Sequence, residues 1–140
     1  MDTIIGRQFP EKVIPLINNA KNSIDIVVFD WRWYPFDPAA SVQLFNQAIV
    51  RAVRRGVRVR GVVNSVEILN ILNKQGCQIK KLVTTNLVHA KFMVLDNEIA
   101  VIGSHNYTQS AFQMNLEVSV ILQGREEIQT IIDFFNNIYG

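Results

Sequence analysis

Leu87 to Thr108 reads LVHAKFMVLDNEIAVIGSHNYT, two apolar runs on either side of an Asp96-Asn97 pair. Asp and Asn tolerate left-handed backbone, so the pattern predicts strand, tight turn, strand. With those two residues as the turn, Leu95 opposes Glu98, Lys91 opposes Ile102 and His89 opposes Ser104. Strand side chains alternate between faces, so His89 and Lys91 share one. Closing the hairpin then gathers His89, Lys91, Ser104 and Asn106 around one small volume. An imidazole, an ammonium, a hydroxyl and an amide placed together offer one nucleophile or proton carrier and several donors for anionic oxygens.

Outward from this hairpin, helical and strand patterns alternate. Pro10 to Lys21 reads as a helix with Val13, Ile14, Leu16 and Ile17 on its apolar side, and SIDIVVFD, Ser23 to Asp30, as a short apolar strand. Asp37 and Pro38 supply an N-cap and a first helical residue for a helix running to about Arg55, where Gly56 stops it. VRVRGVVN, Val57 to Asn64, is a second strand. Strand, helix and strand make a right-handed unit with parallel strands. A shorter helix from Val66 to Lys74 ends at Gly76, CQIKKLVT from Cys77 to Thr84 is a third strand, and LEVSVIL from Leu116 is another. The expected class is α/β, a mixed β-sheet flanked by helices, as one domain over residues 1–140.

A chain of 140 residues, 49% hydrophobic and 19% charged, has the apolar material for a core. Its first residues, MDTIIGRQFPEKV, lack a secretory pattern, and no apolar run approaches the roughly 20 residues of a membrane helix. No integral membrane association is expected. One cysteine, Cys77, excludes an internal disulfide and any multi-cysteine zinc site, which agrees with a cytoplasmic setting. Cys77 itself reads as a small buried hydrophobe. No cluster of Asp, Glu, His or Cys has metal-ligand spacing, so no metal or other cofactor is expected. The net charge of +2 conceals an asymmetry: Arg51 to Lys91 holds nine Lys/Arg against one acid, Glu67. Such a basic middle suits a polyanionic partner.

His89, Lys91, Asp96, Gly103, Ser104 and Asn106 spell HxKxxxxDxxxxxxGSxN. This resembles the HKD motif of the phospholipase D superfamily, and a chance match at a given start is about one in ten to the eighth on average residue usage. Asn115 to Glu117, NxE leading into LEVSVIL, resembles the acidic position that follows the motif in that family. The SIDIVVFD strand and the RRGVRVRGVV stretch extend the likeness over most of the chain. Members need two motifs per active site, whereas this sequence has one and only two histidines. The likeness is therefore to the small single-motif endonucleases that complete their site by homodimerisation through the active-site face.

What the resemblance implies is a metal-independent phosphodiesterase working through a covalent phosphohistidine. His89 of one subunit attacks phosphorus and His89 of the partner subunit, protonated, donates to the leaving oxygen. Lys91 and Asn106 would neutralise and bond the equatorial oxygens. Glu117 would hold the far nitrogen of His89, as the acid of a triad does. Ser104 would bond a neighbouring oxygen or side chain, while Asp96 and Gly103 serve the motif structurally. His105, at the motif's free position, is given no role. The arginines Arg51, Arg54, Arg55, Arg58 and Arg60 lie at the helix end remote from the catalytic mouth and read as structural.

The substrate stays open between DNA or RNA, favoured by the short basic chain, and phospholipid, as for a phospholipase or phosphatidyltransferase. A non-catalytic binding or dimerisation module of a larger enzyme is a third reading. Around the expected cleft, WRWYPFDP, Trp31 to Pro38, leaves the first apolar strand at the end where ligands gather. Trp31, Arg32 and Trp33 are expected to contact a bound strand or the partner subunit, with Tyr34 and Phe36 packed inward. Lys80 and Lys81 are the further nucleic-acid candidates.

Overall fold

The computed structural model describes residues 1–82 and 86–140; Val83 and Thr84, read above as the end of a strand, lie outside them. Seven strands form one mixed sheet: β1 (Asp2–Ile5), β2 (Ser23–Val27), β3 (Arg58–Val63), β4 (Gln78–Lys81), β5 (Phe92–Leu95), β6 (Ile99–Gly103) and β7 (Val118–Gln123). Their order across the sheet is β1-β7-β6-β5-β2-β3-β4. β2, β3 and β4 are parallel, and every pairing on the other side of β2 is antiparallel. The helices are α1 (Gln8–Asn19), α2 (Ser41–Arg54), α3 (Val66–Lys74), α4 (Gln109–Gln113) and α5 (Gln129–Tyr139).

The sheet has a core on each face. α1 presents Phe9, Val13 and Ile17, one every four residues, to the larger core that α2, α3 and α4 also cover. Burying side chains of this size contributes about 1.5 to 3 kcal/mol each, which outweighs the modest intrinsic propensity of their β-branched members for helix. The opposite face holds a smaller cluster in which Ile128, Ile132 and Phe135 of the α5 region pack on Val27, Val62, Phe92 and Val94. β2, sandwiched between both cores, is buried along its whole length and carries the buried Asp25. Arg60 on β3 answers it through two bonds of 2.9 and 3.0 Å, and that carboxylate holds the guanidinium above its ordinary value despite desolvation. The same guanidinium lies 5.0 and 5.1 Å from the ring centres of Phe135 and Tyr139, tying α5 to the sheet.

The β2–α2–β3 unit is parallel as expected, but α2 begins later than Asp37-Pro38 suggests. Asp37 and Ala40 donate to Tyr34 O and Asp37 O in turns, Ala40 occupies the N-cap, and the first helical residue is Ser41. The Gln109 side chain accepts from Val42 N at 3.0 Å, supplying from α4 the cap that Ala40 lacks. A partner distant in sequence thus sets the helix start. Arg55 lies beyond the other end of α2, donating to Ile17 O and Ala20 O at the C-terminus of α1.

The hairpin register also differs from expectation, by one residue. Asp96 and Asn97 do occupy the left-handed region, both at φ 55°, and Glu98 N donates to Leu95 O at 3.0 Å. Leu95 nevertheless pairs with Ile99 and Phe92 with Ile102, so Glu98 is an extra residue in the turn. Neighbouring strands explain the slip: Glu98 O accepts from Gly124 N, and Asp96 N donates to Ser23 O, both at 2.8 Å. Lys91 therefore lies beside Gly103, whose amide donates to Lys91 O at 3.3 Å, rather than opposite Ile102.

At this turn the Asp96 carboxylate accepts from three successive amides, Lys21, Asn22 and Ser23, at 2.7 to 3.2 Å. Desolvation alone would raise its pKa, but those amides outweigh it and the carboxyl titrates below its ordinary 3.8. The turn is thereby fastened to the start of β2.

Candidate active site

β5 runs antiparallel to β2, with Val27 beside Phe92, so the residues before β5 emerge where the parallel strands end. His89 and Lys91 are in this approach, and β6 ends at Gly103 on the same edge. Ligands gather at this edge of α/β sheets because loops there diverge and leave a crevice. His89 is exposed; the Lys91 ammonium lies 3.2 Å from its Nδ1 and 3.5 Å from Nε2, and the Phe29 ring packs 4.9 Å from the imidazole. Lys91 Nζ also lies 5.6 Å from the centre of Phe29. An ammonium can only donate, so the ring nitrogen that receives it is unprotonated.

Asn64 is a residue that the sequence reading passed over. At the end of β3, its amide nitrogen donates to Phe29 O at 3.0 Å and Val88 O at 2.8 Å. One side chain thus joins the residue packed against the His89 ring to the residue preceding His89. The only sequence signal was an amide at the C-terminal end of a parallel strand.

The second arm of the motif is held by β2 and β7. Asn106 Oδ1 accepts from Asp30 N at 3.1 Å, which leaves the Asn106 amide nitrogen as a donor for another group. Tyr107 bonds through its backbone to Asp30 O and Arg32 N, both at 3.0 Å, strapping the motif to the extension of β2. Ser104 donates to Glu117 Oε1 at 2.5 Å and accepts from Val118 N, while Asn115 donates to Glu117 Oε2 at 3.1 Å. Glu117 within one subunit therefore engages Ser104 and Asn115. Among the described residues it makes no bond to His89, because Ser104 turns away from the hairpin toward β7.

His105 is buried, with Nδ1 2.7 Å from Ser119 Oγ and Nε2 2.8 Å from Gly6 O, and its ring packs 4.6 Å from Phe9. A carbonyl can only accept, so Nε2 carries the proton and Ser119 donates to Nδ1. Burial pushes the imidazole below its ordinary 6.5, against the opposing pull of Gly6 O and the field of Glu117. The unfolded chain therefore takes up a proton more readily than the fold. Its contribution is complete above about 6.5 and is lost as pH falls toward the depressed folded value. Urea midpoints should fall from about pH 7.5 to 5.5 in the wild type and less steeply in His105→Gln. Equal slopes would contradict this assignment.

The aromatic loop departs from expectation. Trp31 is 2% exposed, donates from Nε1 to Asn46 Oδ1 at 2.7 Å and meets Tyr107 edge-on at 5.4 Å. It is an internal post with almost no surface to offer a strand or a partner, since a distant amide satisfies its indole and makes burial favourable. Phe36, expected inside, is 75% exposed and packs at a tilt of 47° against half-buried Tyr34, with ring centres 4.0 Å apart. Trp33 is half-buried, and exposed Arg32 donates to Asp30 at 2.8 Å. Lys80 donates to Tyr139 O at 3.1 Å and sits over that ring, and Lys81 ends edge strand β4 beside Val63. Burial raises the Cys77 thiol to about 12, which keeps it unreactive. Among the described residues no group of three or more His, Cys, Asp or Glu is placed to hold a metal, and no helix is long and apolar enough to cross a membrane.

This geometry has counterparts. A family model described as the phospholipase D-like domain of cardiolipin synthase matches residues 13–139. The chain belongs to the phospholipase D superfamily. Mitochondrial cardiolipin hydrolase of Canis lupus familiaris is 30% identical over 141 residues, covering 96% of this chain and 52% of that protein. Cardiolipin synthase B of Escherichia coli K12 is 30% identical over 105 residues, covering 67% of this chain and 25% of that one. The chain spans about half the length of the mitochondrial cardiolipin hydrolases it matches. Two solved structures share the fold over 98% of this chain and 93% of theirs. They are the phospholipase D family member Nuc of Salmonella typhimurium, at TM-score 0.82 and 19% identity, and NucT of Helicobacter pylori, at 0.80 and 17%. Within the phospholipase D fold, His89 and Lys91 approach β5, Asp96 turns the hairpin and Asn106 follows β6.

Proposed function

We propose that this protein is a metal-independent phosphodiesterase that cleaves nucleic-acid strands through a phosphohistidine on His89, at a site completed by a second copy of the chain. The observation that carries this reading is the exposed His89 ring with Lys91 against it, on the sheet edge where the Asn106 amide nitrogen makes no bond among the described residues. A diester phosphate draws Lys91 onto its oxygens, and Asn106 donates to another, so charge developing on phosphorus oxygens is met without a metal. The released His89 nitrogen attacks phosphorus. The P–O bond to the leaving group breaks as that oxygen takes a proton from His89 of the partner subunit. Water then attacks phosphorus, gives its proton to the same imidazole and displaces His89 with its electron pair. One subunit supplies one such imidazole, which is the reason for the dimer; the buried His105 is committed to Ser119 and Gly6.

The near-complete overlap with Nuc and NucT supports a compact single-motif enzyme. A second reading, a phosphodiesterase of phospholipid, draws on the cardiolipin synthase family model and the cardiolipin hydrolase relatives. Incubation in excess EDTA with labelled single-stranded DNA, duplex DNA, RNA and cardiolipin vesicles separates the two. Cleavage of nucleic acid that persists in EDTA is the expected result. Turnover of the vesicles alone would transfer the assignment to phospholipid, and activity only on adding a divalent metal would end the phosphohistidine reading.

A further inference from the structure

A cleft of about 560 Å3 opens beside the catalytic edge, between the loop after β2, the start of α3 and the start of α4. We propose that it is the subsite for a nucleobase flanking the scissile phosphate, with Phe36 and Tyr34 as the stacking platform and Glu67 on the wall of α3. This rests on the strand-cleaving reading above and specifies which part of the strand is held where.

Continuity with the reacting groups is the first argument. Asp30 lines the cleft while its amide holds Asn106, and Thr108, two residues beyond Asn106, lines it too. His89, Lys91 and Asn106 do not themselves line the cleft; Asp30 is the residue it shares with the Asn106 arm of the site. Its volume lies within the range of small-ligand sites. The second argument is Phe36, a phenyl ring 75% exposed that leans on Tyr34 at an interplanar angle of 47°. The core does not need it, and its open face offers a π-surface.

The Tyr34 backbone is held in place before any ligand arrives, and Phe36 leans on the Tyr34 ring. Tyr34 N donates to Gln43 Oε1 at 2.8 Å, Asn46 bonds Gln43 and Arg32 O, and Trp31 is fixed by Asn46. A rigid platform loses little entropy on binding. The charge of the walls selects the occupant. Asp30 and Glu67 both line the cleft, and Arg32 is already paired with Asp30. Two carboxylates against one cation disfavour an anionic lipid headgroup or a further phosphate, whereas a neutral flat base with N–H groups can stack and donate to Glu67.

The test uses the full chain carrying His89→Ala, so that nothing is cleaved, and compares a deoxythymidine oligomer with an abasic oligomer of equal length by fluorescence anisotropy. Adding Phe36→Ala should weaken binding of the thymidine oligomer about 5- to 100-fold. Affinity for the abasic oligomer should change less than about twofold, because no ring is left to stack. Equal losses on both, or no loss on either, would overturn the subsite. So would Phe36-dependent binding to cardiolipin vesicles without such dependence on the thymidine oligomer. Hydrolysis of bis(p-nitrophenyl) phosphate by chains retaining His89 reports the reaction separately: its failure removes the phosphohistidine reading, while the binding comparison still decides the subsite.

Discussion

His89→Ala should lower diester hydrolysis by at least about three orders of magnitude, since it removes both the nucleophile of one subunit and the proton donor to the other. The fold should tolerate the change. His89 is exposed, outside any strand, and touches chiefly Lys91 and Phe29, so stability should shift by about 0.5 kcal/mol or less. Activity and the urea midpoint measured on one preparation therefore separate chemistry from folding. Mixing adds a sharper measurement. If each site needs both imidazoles, activity at constant total protein falls as the square of the wild-type fraction once subunits have exchanged. A linear fall would mean that one subunit suffices, and the shared site would have to be abandoned.

Gly103→Ala should act through the fold and take activity with it. A Cβ at this position meets Ser119 Oγ, Ser119 Cα and Val118 O, the last at 2.5 Å. Two of these three atoms are backbone of β7, which cannot swing aside as a side chain would. Relief requires separating β6 from β7 where Gly103 pairs with Ser119. That separation also loosens the Ser104 N bond to Val118 O and the Ser119 contact with His105. We expect a loss of about 3 kcal/mol, at the upper end for overpacking because the obstacle is main chain. A midpoint within about 0.5 kcal/mol of the wild type would show that the strands separate freely. The glycine is needed for the space it leaves, since its φ is not among the positive values.

These two residues show what can be read from a linear sequence. His89 and Lys91 could be read as neighbours because motif spacing is a local pattern, although both precede β5 instead of lying in a strand, and the β2–α2–β3 unit could be read through periodicity and turn residues. The errors arise where a distant partner intervenes. Glu98 joins the turn because Gly124 and Ser23 take the backbone groups around it, which shifts the register by one. Trp31 is buried because Asn46, fifteen residues on, accepts from its indole, and Phe36 is left outside by the same loop. Asn64 went unnoticed because its two acceptors belong to segments that meet only in three dimensions.

The clasp of Asp96 on the amides of Lys21, Asn22 and Ser23 lies at one end of β5, and His89 and Lys91 lie beyond the other. Four strand residues separate the clasp from the reagents, a span of about 13 Å. β5 is thus a gauge block: fastened at its tip, it fixes how far the nucleophile projects past the end of β2. Adding or deleting a residue within it would leave two choices, to unhook the clasp or to displace the reagents. The interval between the lysine and the aspartate of the motif is therefore a dimension of the machine, and its tolerance is less than one residue.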